Sequence, residues 1–361
     1  MIRLLTISIA GKPAGDLVWD ERDPGRGAFR YLESYLDMPD AIPLDPISMP
    51  LNMGIMSLKG NSGWGALEGY VPRGWGMDLL GMEDDVAIPE ILLRTGSSPI
   101  GLITFLEARN DGSAVETTTE LYLSDLDAML KEVASMEAGV SLSAGSLILK
   151  SGCMLGGRRP KALVLNAASG VSYVVKFPSS SRGYLVSLEY ATMHYADRAG
   201  VNIAPVKLIT CGDTPILLVE RIGTTARHAV SLGSLLPSFI PGKVRYCYRD
   251  LLDLVRRLSI DPIADSAELF RRIVFSAVIN HSDDQPKRFW MLYGQDGWRL
   301  APAFGLYPDL GGERKEHSLL YGGIGCSPGR KGLELIGRSW GVRGYKKVVE
   351  QVFDHQQNNC I

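Results

Sequence analysis

The amino-acid sequence predicts an α+β protein of about two domains, and three observations support this. The length of 361 residues is roughly twice that of an average domain. Residues 1–130 mix short strand-like runs with loops rich in proline and glycine, as expected of a domain that contains a sheet. From residue 151 a glycine-bearing turn, two strands and a helix follow one another, and after residue 221 the pattern is mainly helical.

The composition excludes several classes of protein. A formal net charge of −2 argues against broad coating of nucleic acid, and we expect no direct binding to it. No run of about 18 apolar residues exists, so neither a transmembrane helix nor a membrane partner is expected. The odd number and wide spacing of the cysteines argue against a disulfide scaffold or a structural zinc site and favour the cytoplasm. They are Cys153, Cys211, Cys247, Cys326 and Cys360.

The first domain is predicted to open with a β-hairpin rather than a cleaved leader. The apolar run Leu4–Ala10 is followed by a turn at Gly11–Gly15 and by a second strand-like run at Leu17–Trp19. Apolar residues at helical spacing predict a helix over Leu121–Val140. The small, serine-rich stretch Gly139–Leu149 is the predicted joint between the domains.

The second domain is predicted to begin with the glycine-bearing turn Ser151–Lys161. Its further elements follow from apolar periodicity, turn residues and helix-stop signals. They are strands Ala162–Asn166 and Val171–Phe177, helix Leu185–Ala199, strands Val206–Thr210 and Ile216–Glu220, helices Tyr246–Leu258 and Asp265–Ile279, and the hairpin Phe289–Leu300. Asp265 and Glu268 form the pattern of a capping box at the start of the last helix.

The order of chemically capable residues matches that needed for phosphoryl transfer. Such a site uses a glycine-rich lid, a strand lysine that holds phosphate oxygens, a helix acid that orients this lysine, and a loop carboxylate. Here the glycine turn precedes Lys176 on a strand, Glu189 on the next helix and Asp283 in the loop after the helical segment. A lone ammonium on a half-buried strand also needs an anionic partner.

At this point the chain resembles the HipA-like serine/threonine kinases, the toxins of bacterial type II toxin–antitoxin pairs. The ordered set of matching segments makes the resemblance specific. The segments are IPLDPISMPL (Ile42–Leu51), GALEGYVPRGWGMDLL (Gly65–Leu80), GGRRPKA (Gly156–Ala162), YVVKFPS (Tyr173–Ser179), LLVERI (Leu217–Ile222), INHSDDQPKRF (Ile279–Phe289), WRLAPAFGL (Trp298–Leu306) and EHSLLYGG (Glu316–Gly323).

The resemblance implies a two-lobed protein-kinase-like fold behind an N-terminal α/β subdomain. The implied parts are an N-terminal subdomain at 1–148, a kinase N-lobe at 149–222 and a helical C-lobe at 223–361. It also implies ATP as cofactor and assigns roles by position. Gly156, Gly157 and Lys161 match the phosphate lid, Lys176 the nucleotide-binding lysine, Glu220 the adenine hinge, Asp283 the catalytic aspartate and Lys287 the loop lysine.

The departures from the family pattern concern the magnesium ligands. The loop histidine is Gln285, the metal-binding asparagine is Arg288, and the later metal-binding aspartate is Gly305. Glycine offers no carboxylate and arginine carries the wrong charge, so Mg²⁺ binding is doubtful. Arg288 is a candidate for binding ATP or another anion directly. Asp284 and Asp309 are candidate replacement acids.

Three functional interpretations follow. The first is a nucleotide-binding pseudokinase whose transfer of phosphate to protein serine or threonine is weakened or lost. The second is an active kinase toxin that phosphorylates a translation component and is inhibited by a helix-turn-helix antitoxin. The third is a non-catalytic module of a toxin–antitoxin or peptide-modification system. All three imply a protein substrate or partner subunit, and the resemblance implies the bacterial cytoplasm.

Overall fold

A computed structural model describes residues 1–59, 63–83, 85–107, 120–180, 182–224, 226, 228–310, 316–322 and 328–358. The chain divides into two compact units, Met1–Ser187 with Lys207–Ala229 and Leu188–Val206 with Val230–Ile361. Within the described ranges, no helix is long and apolar enough to cross a membrane. Cys153, Cys211 and Cys247 are free thiols. Cys326 and Cys360 lie outside the described residues.

The first unit opens with a five-stranded antiparallel sheet of order β4-β3-β2-β1-β5. The predicted N-terminal hairpin is present as β1 and β2, and Gly11 adopts a positive φ of 76° in its turn. Alternate residues Leu5, Ile7 and Ile9 of β1 are buried, as a one-sided sheet requires. The elements of this part are β1 (Ile2–Ile9), β2 (Lys12–Asp20), β3 (Arg26–Tyr31), α1 (Glu33–Leu36), β4 (Met56–Lys59), α2 (Ala66–Gly69), α3 (Trp75–Leu80), α4 (Ile88–Thr95) and β5 (Ile103–Glu107).

The predicted helix over Leu121–Val140 is shorter than expected. A 3₁₀ turn at Leu123–Asp125 precedes it, and the α-helix proper is α5 (Leu126–Glu137). The predicted joint contains the start of a helix that periodicity did not reveal, α6 (Leu147–Gly152). The Glu132 carboxylate accepts the backbone N–H groups of Leu147 and Ile148 and so caps this helix.

The rest of the first unit is a four-stranded sheet of order β6-β7-β9-β8. Its strands are β6 (Lys161–Leu165), β7 (Ser172–Lys176), β8 (Val206–Cys211) and β9 (Thr214–Glu220). Both predicted strand pairs are confirmed. The apolar side chains of this sheet share one core with α5 and α6, which holds the strands that carry Lys161 and Lys176.

The second unit is mostly helical and contains a small sheet of order β10-β11-β12. Its elements are α7 (Leu185–Arg198), β10 (His228–Ser231), α8 (Leu232–Phe239), α9 (Tyr248–Leu258), α10 (Pro262–Val278), β11 (Trp290–Tyr293), β12 (Trp298–Leu300), α11 (Arg330–Ser339) and α12 (Tyr345–Asn358). The predicted helix 185–199, with Gly200 at a positive φ after it, is confirmed.

The start of α10 differs from the prediction. The cap is Asp261, whose side chain accepts the N–H of Ala264, and Pro262 occupies the first turn. Asp265, the predicted cap, instead lies buried and binds Arg299 and the N–H of Leu300. Its carboxylate therefore joins α10 to β12.

Helix α10 and the β11–β12 hairpin position the acidic loop between them. The helix ends at Val278, and Asn280 turns the chain with a positive φ of 52°. A 3₁₀ turn at Pro286–Arg288 then leads into β11. The loop is thus held between two well-packed elements, which limits the positions of its side chains.

Candidate functional site

Two lysines lie side by side on the first unit's second sheet. Lys161 on β6 pairs directly with Lys176 on β7, so both side chains lie on the same face. They are only 9% and 8% exposed. Like charges directly opposite each other are destabilising, and burying them adds a cost. The pair therefore places two ammonium groups close together on one face of the sheet.

The glycine turn lies next to this lysine pair. The Lys161 ammonium donates to the Gly156 carbonyl at 2.6 Å. Gly157 has a φ of +106°, and a Cβ there would lie 2.5 Å from the Lys161 Nζ. Its N–H donates to the Arg73 carbonyl at 2.8 Å, and its carbonyl accepts from Trp75 N–H at 2.7 Å. Backbone hydrogen bonds therefore hold the turn in place. The Gly157 N–H, which was expected to face phosphate, donates to a carbonyl of the protein instead.

The predicted hinge and helix acids occupy defined positions. Glu220 ends β9 opposite Tyr173. The next residue, Arg221, donates hydrogen bonds to the carbonyls of Ser98, Pro99 and Gly101, which fixes this end of the strand. The adenine contact of Glu220 stays a prediction. Glu189 is fully buried on α7, and its pairing with Lys176 also stays a prediction.

The second unit brings three donors onto the predicted catalytic aspartate. The Tyr307 hydroxyl donates to Asp283 Oδ2 at 2.6 Å, and Gln285 Nε2 donates to Oδ1 at 2.9 Å. Arg288 Nη2 forms an ion pair with the same Oδ2. The Asp283 and Arg288 side chains are both 25% exposed. Both carboxylate oxygens are thus engaged, by Gln285 and Arg288 of the same loop and by Tyr307 from 24 residues further along the chain.

Arg288 also lies against Gly305, the position that the resemblance matches to the family's later metal-binding aspartate. A Cβ on Gly305 would lie 3.0 Å from Arg288 Nη1, and Gly305 has a φ of +69°. The guanidinium therefore occupies the space that a side chain at 305 would enter. Within the described ranges, no group of three or more His, Cys, Asp or Glu side chains is placed to hold a metal ion. The residues at this position do not fit Mg²⁺.

The two candidate replacement acids have other partners. Asp284 is 1% exposed and accepts hydrogen bonds from the Tyr248 hydroxyl at 2.5 Å and the Ser318 N–H at 2.8 Å. Its Oδ2 also lies 2.9 Å from His317 Nδ1. Asp309 accepts a hydrogen bond from the Ser282 hydroxyl at 2.9 Å. Asp284 therefore connects the loop to α9 and to the segment around residue 317.

A buried histidine and an exposed lysine complete the loop. His281 Nδ1 lies 2.7 Å from the Tyr307 carbonyl, and the imidazole packs edge-on against the Tyr307 ring at 5.3 Å. Burial, reinforced by the charge of Arg288, lowers the pKa of His281 to about 4. Lys287 is exposed, and its carbonyl accepts from the Ser231 hydroxyl at 3.3 Å. The catalytic role of Lys287 stays a prediction.

Tyr307 is the site residue that sequence reasoning missed. It stands two residues after Gly305, in a segment whose most conspicuous feature in the sequence is the missing carboxylate. The signal in the sequence that could have identified it is a tyrosine only two residues from the expected metal-binding position. Its hydroxyl contact to Asp283 spans 24 residues, which local patterns do not reveal.

Comparison with solved structures identifies the fold. The chain superimposes on HipA of Shewanella oneidensis MR-1, solved as a toxin–antitoxin complex with HipB and operator DNA, with a TM-score of 0.71. The match covers 99% of this chain and 92% of that one at 16% identity. The α+β architecture and this likeness together define a protein of the kinase-fold class.

The sequence comparisons identify the family. The family model described as the HipA-like C-terminal domain matches residues 153–355, more than half of the chain. The protein therefore belongs to the HipA-like family, which confirms the resemblance noted in the sequence. It is also 26% identical over 154 residues to a Sinorhizobium fredii protein with the name "Putative kinase Y4mE". That alignment spans 38% of this chain and 36% of the relative's length.

Proposed function

We propose that this chain is a pseudokinase of the HipA-like family that binds ATP without Mg²⁺ and has lost, or nearly lost, phosphotransfer to protein serine or threonine. The observation that carries the proposal is the Arg288 guanidinium. It is paired with Asp283 and lies 3.0 Å from the Cβ position of Gly305. On the motif match, we infer that this cation takes the place of the metal that the family binds.

Two physical consequences of this contact support loss of transfer. A kinase aspartate orients the acceptor hydroxyl and accepts its proton, whereas here both oxygens of Asp283 already accept from internal donors. Mg²⁺ bridges phosphate oxygens and neutralises charge that develops on the transferred group. A guanidinium supplies a single charge and no coordination sites, so it binds phosphate but does not replace that chemistry.

Nucleotide binding is supported by the lysine pair of the first unit. Lys161 and Lys176 present two ammonium groups on one face of the β6–β7 sheet. Beside them lies a glycine turn that is held by its own backbone hydrogen bonds. Phosphate oxygens are the anions that such a pair suits best. The Gly157 amide donates to Arg73, so we assign phosphate binding to the ammonium groups rather than to that amide.

Binding is tested by thermal unfolding with ATP in the presence of EDTA. At an ATP concentration of about 100 times Kd, the expected stabilisation is about 2.7 kcal/mol, or a rise in Tm of about 3–4 °C for a chain of this size. Lys176→Ala is expected to abolish the rise. Lys207→Ala, an exposed lysine on the same sheet, is the matched control and should retain it. No ATP-dependent rise in the natural protein would refute nucleotide binding.

Loss of transfer is tested by ATP turnover with Mg²⁺. The natural protein and Asp283→Ala are expected to show the same background rate, since Asp283 is already occupied by internal donors. Robust Mg²⁺-dependent turnover that disappears in Asp283→Ala would contradict the pseudokinase proposal and support an active kinase.

A protein partner is the remaining part of the proposal. The solved HipA relative is in complex with HipB and its operator DNA. On that likeness we infer that this chain pairs with a small DNA-binding antitoxin rather than contacting nucleic acid through its own surface. Co-expression with a candidate antitoxin followed by size-exclusion chromatography tests this. Separate elution of the two proteins would contradict the pairing.

A further inference from the structure

The Tyr307 hydroxyl occupies an unusual chemical position. It donates to Asp283 Oδ2 at 2.6 Å, the same oxygen that pairs with Arg288. In a kinase, the group that donates to this aspartate is the hydroxyl of the acceptor. The side chain of Tyr307 thus presents an O–H group to the aspartate just as an acceptor serine, threonine or water would.

The position of the tyrosine is held from two other sides. Its carbonyl lies 2.7 Å from Nδ1 of the buried His281, whose ring packs edge-on against the phenol. The Arg288 guanidinium lies over the same ring, 6.0 Å from its centre. The hydroxyl therefore reaches Asp283 from a ring that is packed in place and does not depend on a single hydrogen bond.

We propose that Tyr307 is a built-in pseudosubstrate, whose hydroxyl takes the acceptor position on Asp283 and excludes outside hydroxyl groups from it. This deepens the proposed loss of phosphotransfer and rests on it. In the step that is prevented, an acceptor oxygen bonds to the γ-phosphorus and the bond to the β,γ-bridging oxygen breaks. ADP leaves, and the acceptor proton passes to Asp283.

The decisive experiment uses a background in which both family ligands are restored, Arg288→Asn with Gly305→Asp. Aspartate tolerates the positive φ of position 305 better than most residues. ATP turnover with Mg²⁺ is measured with water and with dephosphorylated casein as acceptors. Adding Tyr307→Phe keeps the ring but removes the hydroxyl, and is expected to raise turnover about 100-fold, the scale of general-base catalysis.

The control is Tyr293→Phe in the same background. Tyr293 lies on β11, and the tyrosine that donates to Asp283 is Tyr307, so this substitution should leave turnover unchanged. Equal turnover with and without the Tyr307→Phe substitution, including none in either protein, would overturn the inference. Phosphorylation of the Tyr307 hydroxyl in the restored background would also overturn it, because the hydroxyl would then be an acceptor.

A second measurement separates this inference from the proposed function, because it needs neither ATP nor activity. Carbodiimide coupling of glycine ethyl ester, read by mass spectrometry, reports how accessible the Asp283 carboxyl is. We expect Tyr307→Phe in the otherwise natural protein to raise labelling at Asp283 severalfold and Tyr293→Phe to leave it unchanged. Unchanged labelling in Tyr307→Phe overturns the pseudosubstrate even where ATP binding is found. Absence of ATP binding overturns the proposed function even where labelling rises.

Discussion

Replacing Asp284 with alanine is expected to destabilise the second unit by about 3–5 kcal/mol. Its carboxylate is 1% exposed and contacts the Tyr248 hydroxyl at 2.5 Å, the Ser318 N–H at 2.8 Å and His317 Nδ1 at 2.9 Å. A buried polar group that loses its partner costs about 1–3 kcal/mol, and three such groups lose theirs together. For a unit of about 150 residues this lowers Tm by roughly 10 °C.

The matched control is Asp309→Ala, the other acid considered as a replacement metal ligand. Asp309 is partly exposed and accepts from the Ser282 hydroxyl, so we expect a loss of about 1 kcal/mol. Thermal and urea unfolding of both variants, with and without Mg²⁺, make the comparison. Equal small losses would refute the structural role of Asp284. A Mg²⁺-dependent rise in Tm that Asp284→Ala abolishes would show instead that Asp284 binds the metal.

Three further predictions follow from the same contacts. The folded pKa of His281, about 4, lies below its ordinary value, so the unfolded chain binds more protons and stability falls from pH 6.5 towards pH 4. Between pH 7 and pH 5 this lowers the free energy of unfolding by about 2 kcal/mol, and His281→Asn should abolish that decrease in urea unfolding. Gly157→Ala should abolish the ATP-dependent rise in Tm by displacing Lys161, whereas Gly170→Ala, also at positive φ but in open space, should retain it. Arg221→Lys should cost about 1–2 kcal/mol in urea unfolding, because an ammonium does not span the three carbonyls that the guanidinium binds.

The elements of the fold could be predicted where a local pattern is enough to determine them. The N-terminal hairpin follows from two apolar runs and a glycine turn, and helix 185–198 follows from periodicity and a glycine stop. The start of α10 could not be found this way. Asp261 with Pro262 and Asp265 with Glu268 are both good helix starts, and the choice depends on the tertiary contact between Asp265 and Arg299.

The candidate site could be predicted only as a set of positions. The resemblance assigned roles to Asp283, Arg288 and Gly305 and implied that two metal ligands are replaced. It did not show that Arg288 turns towards Asp283, since that depends on the conformation of the loop. The contribution of Tyr307 depends on a contact made across 24 residues, and only the folded chain brings the two groups together.

The magnesium dependence of ATP affinity tests the central claim most directly. Isothermal titration of the natural protein with ATP is carried out once in EDTA and once in excess Mg²⁺. If Arg288 stands in for the metal beside Asp283 and Gly305, the two Kd values agree within about twofold, which corresponds to about 0.4 kcal/mol. Binding that is at least tenfold weaker in EDTA, about 1.4 kcal/mol, would show that the protein holds ATP through Mg²⁺ and would contradict the account.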